Sequence, residues 1–258
     1  MDLSTIIGLI LGLLGLIGGF FLEGGHFSAL WGLSAFCIVL GGTLGATIIG
    51  TPFDQLKNIP KWLGIAFTNR ALNGEAMYST LIRFSEKARQ EGLLSLESEL
   101  DKIDDEFLRQ GMQLVIDGTD PDITRSILEA GLTTQESRHK IGISFFEAAG
   151  GYSPTMGIIG TVMGLIHVLG NLSDADKLAS AIAAAFIATL YGVSFANVFF
   201  LPLAAKLKFK DKSETHIKEM VLDAIISIQS GENPAILKEK LSTHLGFTPS
   251  EEKAAETE

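Results

Sequence analysis

Four runs in this sequence are long, apolar and free of Asp, Glu, Lys and Arg: Leu3–Leu22, Ala29–Gly50, and stretches at about Ala148–Gly170 and Leu178–Leu203. A helix crosses a bilayer with about 20 apolar residues. Hydrocarbon offers the backbone no partner but itself, so each run is expected to be a membrane-spanning helix. The third and fourth runs carry more polar residues than the first two, which suits helices packed inside a bundle. Charge is segregated to match. Residues 1–50 hold only Asp2 and Glu23 and no Lys or Arg, whereas residues 51–145 hold 11 Lys/Arg and 15 Asp/Glu. A plain soluble globule, a disordered chain and a collagen-like chain are excluded by that pattern.

Basic residues orient membrane helices towards the cytoplasm. The connector Glu23–Ser28 has none, and the connector Asn171–Lys177 has only Lys177; eight follow Leu203, with Lys206, Lys208, Lys210 and Lys212 nearest the apolar run. The insert, the tail and both termini are therefore expected in the cytoplasm, with two short hairpins outside. The first run has no basic region before it and no small-residue cleavage site before Glu23 beyond glycines, so it reads as a retained helix rather than a signal peptide. The expected fold is an all-α membrane protein. Spans one and two occupy 1–50, a cytoplasmic helical domain 51–146, spans three and four 147–204, and cytoplasmic helices with an acidic tail 205–258.

Helical spacing recurs in the hydrophilic parts, at Met77, Leu81, Phe84 and Ala88, and again at Leu93, Leu96, Leu100, Ile103 and Phe107. Asp120-Pro121 pairs a capping residue with a proline at the first helical position, and the helix it opens is expected to run on into the third span. Ile217, Met220, Val221, Ala224, Ile225 and Ile228 form one stripe, and Asn233-Pro234 opens a last short helix. Ser250–Glu258 is acidic and small in side chain, and is expected to be disordered.

Enzyme and cofactor signatures fail. The sequence has no GxxxxGK, HExxH or GxSxG, one cysteine (Cys37), and five histidines without ligand spacing. Neither a metal nor a cofactor is expected. A net charge of −10 without a basic block argues against nucleic-acid binding. The pairs Gly8/Gly12, Gly15/Gly19, Gly41/Gly45 and Gly160/Gly164 have the small-xxx-small spacing that lets helices approach, which favours a crowded, oligomeric bundle over a monomer. The third run contains Tyr152, Ser153, Pro154 and Thr161, and the fourth Ser180, Thr189, Tyr191, Ser194, Asn197 and Pro202. Such hydroxyls near a proline either line a wet path or bond back to their own helix, and residue type alone favours the second. An absence is more informative. Intramembrane carboxylates mark ion and proton pathways, and these runs hold none, with His167 near the outer end of the third as the lone titratable side chain of the usual relay types. A chain like this that moves cations by way of a carboxylate must borrow it from another chain.

Several ordered motifs together resemble one family. The start MDLSTIIGLI, ARQEGLLSLE at 88–97, VIDGTDPDITRSIL at 115–128, GYSPTMGIIGTVMGLI at 151–166 and ATLYGVSFANVFFLPLAAKL at 188–207 are similar to the A subunit of bacterial flagellar-motor stator units, the MotA/PomA family. The resemblance covers nearly the whole chain. It implies a homo-oligomer of five A subunits around a dimer of a B-type stator subunit, in the lipid of the bacterial inner membrane. The B subunit supplies a membrane aspartate and anchors to peptidoglycan. Cation flow past the A–B interface turns the A ring, which pushes the rotor protein FliG. By motif, Arg89 and Glu97 match charged positions that face the rotor. Pro154 and Pro202 match prolines tied to coupling ion flow to movement. Thr189 matches a pathway threonine, and Thr161 a position that is threonine in sodium-driven members and often alanine in proton-driven ones. Ser34 falls near a third position where sodium-driven members carry threonine, a departure that keeps the hydroxyl. Between Na+ and H+ as the transported ion, the resemblance favours sodium. Two alternatives rank lower. A general solute transporter is expected to carry its own midplane polar site, and an ExbB/TolQ-type energiser has three spans rather than four.

Overall fold

The computed structural model describes residues 2–68, 73–170 and 175–245; the acidic tail, residues 171–174 between the third and fourth apolar runs and the Ser180 side chain lie outside them. In chain order the main helices are α1 (Leu3–Leu22), α2 (33–49), α3 (Ile59–Phe67), α4 (Gly74–Glu91), α5 (Glu106–Ile116), α6 (Pro121–Leu169), α7 (175–229) and α8 (Pro234–Leu245). No strand occurs among the described residues. Four segments there are long and apolar enough to cross a membrane: Leu3–Leu22, Phe27–Ile49, and parts of Pro121–Leu169 and Ile182–Gln229. The expected all-α architecture with four spans is what the chain adopts. Asp120 caps α6 as its spacing implied, accepting from the Asp122 amide at 2.9 Å, and the helix continues without a break through Pro154 to Leu169.

The chain forms two compact units, residues 1–70 with 139–209, and residues 71–138 with 210–258. These boundaries follow packing, whereas the sequence divisions at 50, 146 and 204 follow the ends of the apolar runs.

In the first unit α1 buries none of its residues, as suits a helix whose apolar surface faces lipid. Its N-terminal end is fastened by polar contacts. The Asp2 amide donates to the Phe67 carbonyl at 2.8 Å, Ser4 Oγ donates to Asp2 Oδ1 at 2.7 Å, and Lys206 Nζ pairs with the Asp2 carboxylate. The Lys206 hydrogen bond, then that from Ser4, holds the Asp2 carboxyl well below the usual carboxylate range. Further along, Trp62 of α3 packs on Phe145, with ring centroids 5.7 Å apart, in a cluster with Phe146, Phe200, Leu203 and Leu207.

The second unit is a helical core around one stripe of α7. Met220, Val221, Ala224, Ile225 and Ile228 are buried against Leu81, Phe84, Leu108, Met112 and Leu128, with Leu237 and Leu241 of α8 closing it. Each such side chain contributes roughly 1.5–3 kcal/mol by burial. The sequence stripe over 217–228 is therefore the centre of this unit. The spacing from Leu93 to Phe107 misleads, because these residues share the core without sharing a helix. Gly92, at φ +84°, ends α4 in a backbone conformation that favours glycine. Two short turns follow, Leu93–Leu96 and Glu97–Leu100, and α5 starts afresh where Asp105 Oδ1 accepts from the Leu108 amide at 2.8 Å.

Glu99 fastens this irregular stretch. Its carboxylate lies 3.0 Å from Lys87 Nζ, 3.4 Å from Lys102 Nζ and 3.9 Å from Arg83. The Lys87 hydrogen bond is the main reason its carboxyl titrates below the ordinary glutamate value. A lowered folded-state value means stability that is present above the unfolded-state pKa, about 4.3, and lost as pH falls through the folded one. Glu99→Gln should therefore raise amide hydrogen exchange over residues 93–103 at pH 7, whereas Glu86→Gln should leave it unchanged. Exchange mass spectrometry on the detergent-solubilised chain checks this.

Candidate functional site

Two spans of the first unit meet backbone to backbone. A Cβ on Gly157 would lie 2.9 Å from the Ala188 carbonyl oxygen, and one on Gly192 would lie 2.6 Å from that of Ser153. One and two turns further along α6, Gly160 and Gly164 face the methyl groups of Ala188 and Ala185, each 2.7 Å from such a Cβ. The pair Gly160/Gly164, read from sequence as a helix-approach signal, thus serves α6 against α7 within the chain. The others differ. At Gly8, Gly15, Gly19, Gly41 and Gly45 an added methyl would meet nothing within 4 Å, and at Gly12 it would meet only Val198.

Because the backbones come so close, short polar side chains reach across. Ser153 is fully buried and its hydroxyl donates to the Gly192 carbonyl at 2.9 Å. Thr161 Oγ1 lies 3.1 Å from both the Gly157 carbonyl of its own helix and the Ala185 carbonyl of α7, and it shares a hydrogen bond with Thr189 Oγ1. Two residues 28 apart in sequence thus place their hydroxyls, with two backbone carbonyls, in one half-buried cluster. The Thr161 hydroxyl thus reaches α7 as well as bonding back to its own helix. The sequence places Ser153 among the hydroxyls of the third run but does not foretell its bond across to α7; the four-residue step from Ser153 to Gly157 is the available signal.

The α7 helix widens just past this contact. Phe195–Phe200 forms π-helical turns, closed by the Leu201 amide donating to the Ala196 carbonyl five residues back. Pro202 comes next and has no amide to donate. Asn197 Nδ2 covers the Val193 carbonyl at 2.9 Å. A cleft of ≈ 370 Å³ at this level is lined by Ser4, Gly8, Asn197, Pro202 and Lys206, among others. Pro154 sits beside Ser153, one turn from Gly157, and Pro202 follows Leu201, which Gly150 faces, so the two prolines lie on different helices toward the same end of the α6–α7 contact. Ser34 is exposed on α2, whose inward positions are Ala35 and Val39, and it makes none of the bonds that join Thr161 to Thr189.

Arg89 and Glu97 belong to the second unit. Both are exposed at the end of α4 and in the turn after it, and Leu94 between them is 71% exposed. Neither joins the ion pairs of Glu99, so one cation, one anion and one apolar side chain stand open to solvent.

The family model described as the MotA/TolQ/ExbB proton channel family matches residues 99–220, and one described as motility protein A N-terminal matches residues 6–92. Motility protein A of Borreliella burgdorferi is 38% identical over 245 residues, covering 95% of this chain and 94% of that protein. Among solved structures, that of C. jejuni MotAB matches with a TM-score of 0.91 at 32% identity, covering 96% of this chain and 97% of that one. The flagellar MotAB stator complex of Bacillus subtilis matches with a TM-score of 0.88 at 34% identity, covering 99% and 100%.

Overpacking a close helix contact costs about 1–3 kcal/mol. Gly192→Val should therefore lower the thermal unfolding midpoint of the purified chain in detergent. Gly45→Val, where a methyl meets nothing, should leave it unchanged.

Proposed function

The chain belongs to the motility protein A members of the MotA/TolQ/ExbB proton channel family, and from that premise we propose that it couples inward sodium flow, through a complex with a B-type partner, to torque on the flagellar rotor. It is a membrane-embedded stator subunit of the flagellar motor and not an enzyme. The finer reading concerns the ion, the assembly and the rotor contact.

One observation carries the ion reading: the Thr161 hydroxyl stands with Thr189 Oγ1 and the Ala185 carbonyl in a span region that has no carboxylate of its own. Oxygen atoms are the ligands a hard cation prefers. Such a cluster replaces part of a sodium ion's water shell, whereas a proton needs no such shell. The charge that draws the cation in comes from a membrane aspartate of the B-type partner. Five copies of this chain surround a dimer of that partner in the bacterial inner membrane, with both termini in the cytoplasm. Ser34 is exposed on α2 of the isolated chain, a placement open to a pathway that runs along the interface with the partner.

Pro154 and Pro202 sit one on each helix at the same end of the α6–α7 contact, so displacement of either helix at an ion-occupied partner carboxylate is transmitted through a place where backbone hydrogen bonding is already incomplete. Arg89, Leu94 and Glu97 form the surface offered to FliG. Rim charges of opposite sign set orientation and rate of engagement more than affinity.

Two outcomes are expected. Thr161→Ala should keep membrane insertion and partner copurification but change the sodium dependence of rotation, read as bead-assay speed against sodium concentration. Torque unchanged in sodium-free medium would remove sodium as the coupling ion. Arg89→Glu should reduce torque severalfold while ion flow through an unplugged complex stays at the wild-type level, and an equal fall in both would place Arg89 in the wrong role.

A further inference from the structure

At its outer end α2 does not begin cleanly. A single turn of 3-10 helix, Phe27–Leu30, is followed by Trp31 and Gly32 in extended conformation, and the helix starts at Leu33. The break leaves backbone groups without helical partners inside a segment apolar enough to lie in the membrane, where each unsatisfied group costs several kcal/mol. One side chain answers two of them. Tyr191 of α7 donates its hydroxyl to the Leu30 carbonyl at 2.5 Å and accepts from the Gly32 amide at 3.2 Å.

The ring of the same residue is held on two sides. Phe36 meets it edge to face at 6.4 Å, and Phe195 lies 6.1 Å away. Phe36 immediately precedes the π-helical turn Cys37–Gly41 of α2, and Phe195 opens that of α7. Ala35, Val39 and Ala188 fill the space between. Tyr191 is therefore the polar anchor where the two widened helices pack.

Thr189 is two residues away on α7, about 200° around a helix of 3.6 residues per turn. Tyr191 thus faces α2 while Thr189 faces α6. The membrane part of α7 is gripped from opposite sides, by the Tyr191 hydroxyl and by the bonds to Ser153 and Thr161. We propose that Tyr191 is a positioning residue: its hydroxyl, fixed on Leu30 and Gly32, sets the rotation of α7 and so keeps the Thr189 hydroxyl against Thr161. This rests on the reading of Thr161 and Thr189 as pathway residues, but its geometric half is testable without it.

The test uses the full chain coexpressed with its B-type partner. In a Cys37→Ala, Thr161→Cys, Thr189→Cys background, oxidant-driven disulfide formation in membranes reports the α6–α7 register whether or not the motor turns. Adding Tyr191→Phe, which removes both hydrogen bonds of the hydroxyl, should slow that cross-linking at least about fivefold. With both threonines restored, Tyr191→Phe should raise the cation concentration for half-maximal speed per stator unit by a similar factor. A purely structural role would instead reduce the number of assembled units and leave that concentration unchanged. Unchanged cross-linking, unchanged cation dependence per unit, or failure of the Tyr191→Phe chain to accumulate in the membrane would each overturn the positioning role. Slowed cross-linking in a chain that also proves to drive no ion-dependent rotation would instead count against the functional reading of the threonines.

Discussion

The membrane part of the chain is organised around the contact of Gly157 with Gly192. Without side chains there, the backbones of α6 and α7 approach until one helix's carbonyls would touch a methyl on the other. In hydrocarbon this kind of packing takes over from the hydrophobic effect, because lipid is as apolar as leucine. Its chemical consequence is that hydroxyls as short as those of Ser153 and Thr161 reach across to another helix. A valine at either glycine would separate the helices and leave those hydroxyls to their own turns. The proline-bearing segments and the widened turn of α7 lie next to this contact, where helical hydrogen bonding is weakest.

The second unit solves a different problem. Its core forms around the apolar stripe of α7, and its surface carries many charges. Most of these are ordinary solvated side chains whose pairs contribute little. Glu99 differs because three cations converge on it and it is largely shielded, which fixes the turns between α4 and α5. Arg89, at the end of α4, and Glu97, within that fixed stretch, are both exposed.

The spans were legible in the sequence because hydropathy and charge segregation are one-dimensional signals that the bilayer reads directly. Leu3–Leu22 is a helix at the bounds its composition suggests, and Asp120-Pro121 opens the long α6 as its capping chemistry implies. The expected helix through Leu93 and Phe107 was a false continuity. The side chains do reach one core, but Gly92 and the Asp105 cap break the backbone between them. Thr161 and Thr189 were each visible through motif, yet their contact was not, since no periodicity links residues on separate helices. Ser34 joins no such cluster within the chain, its hydroxyl being exposed on α2. Tyr191 reads from sequence only as one of several hydroxyls in the fourth run. Its role depends on a break at Trp31–Gly32 that the hydropathy of the second span conceals.

An apolar region with no carboxylate of its own can hold an oxygen cluster but cannot by itself supply the charge that draws a cation through. Reconstitution of the purified chain in liposomes, with and without its B-type partner, tests that directly through cation flux under an imposed gradient. Flux should appear only when the partner is present and unplugged. Robust gradient-driven flux through this chain alone would contradict the account.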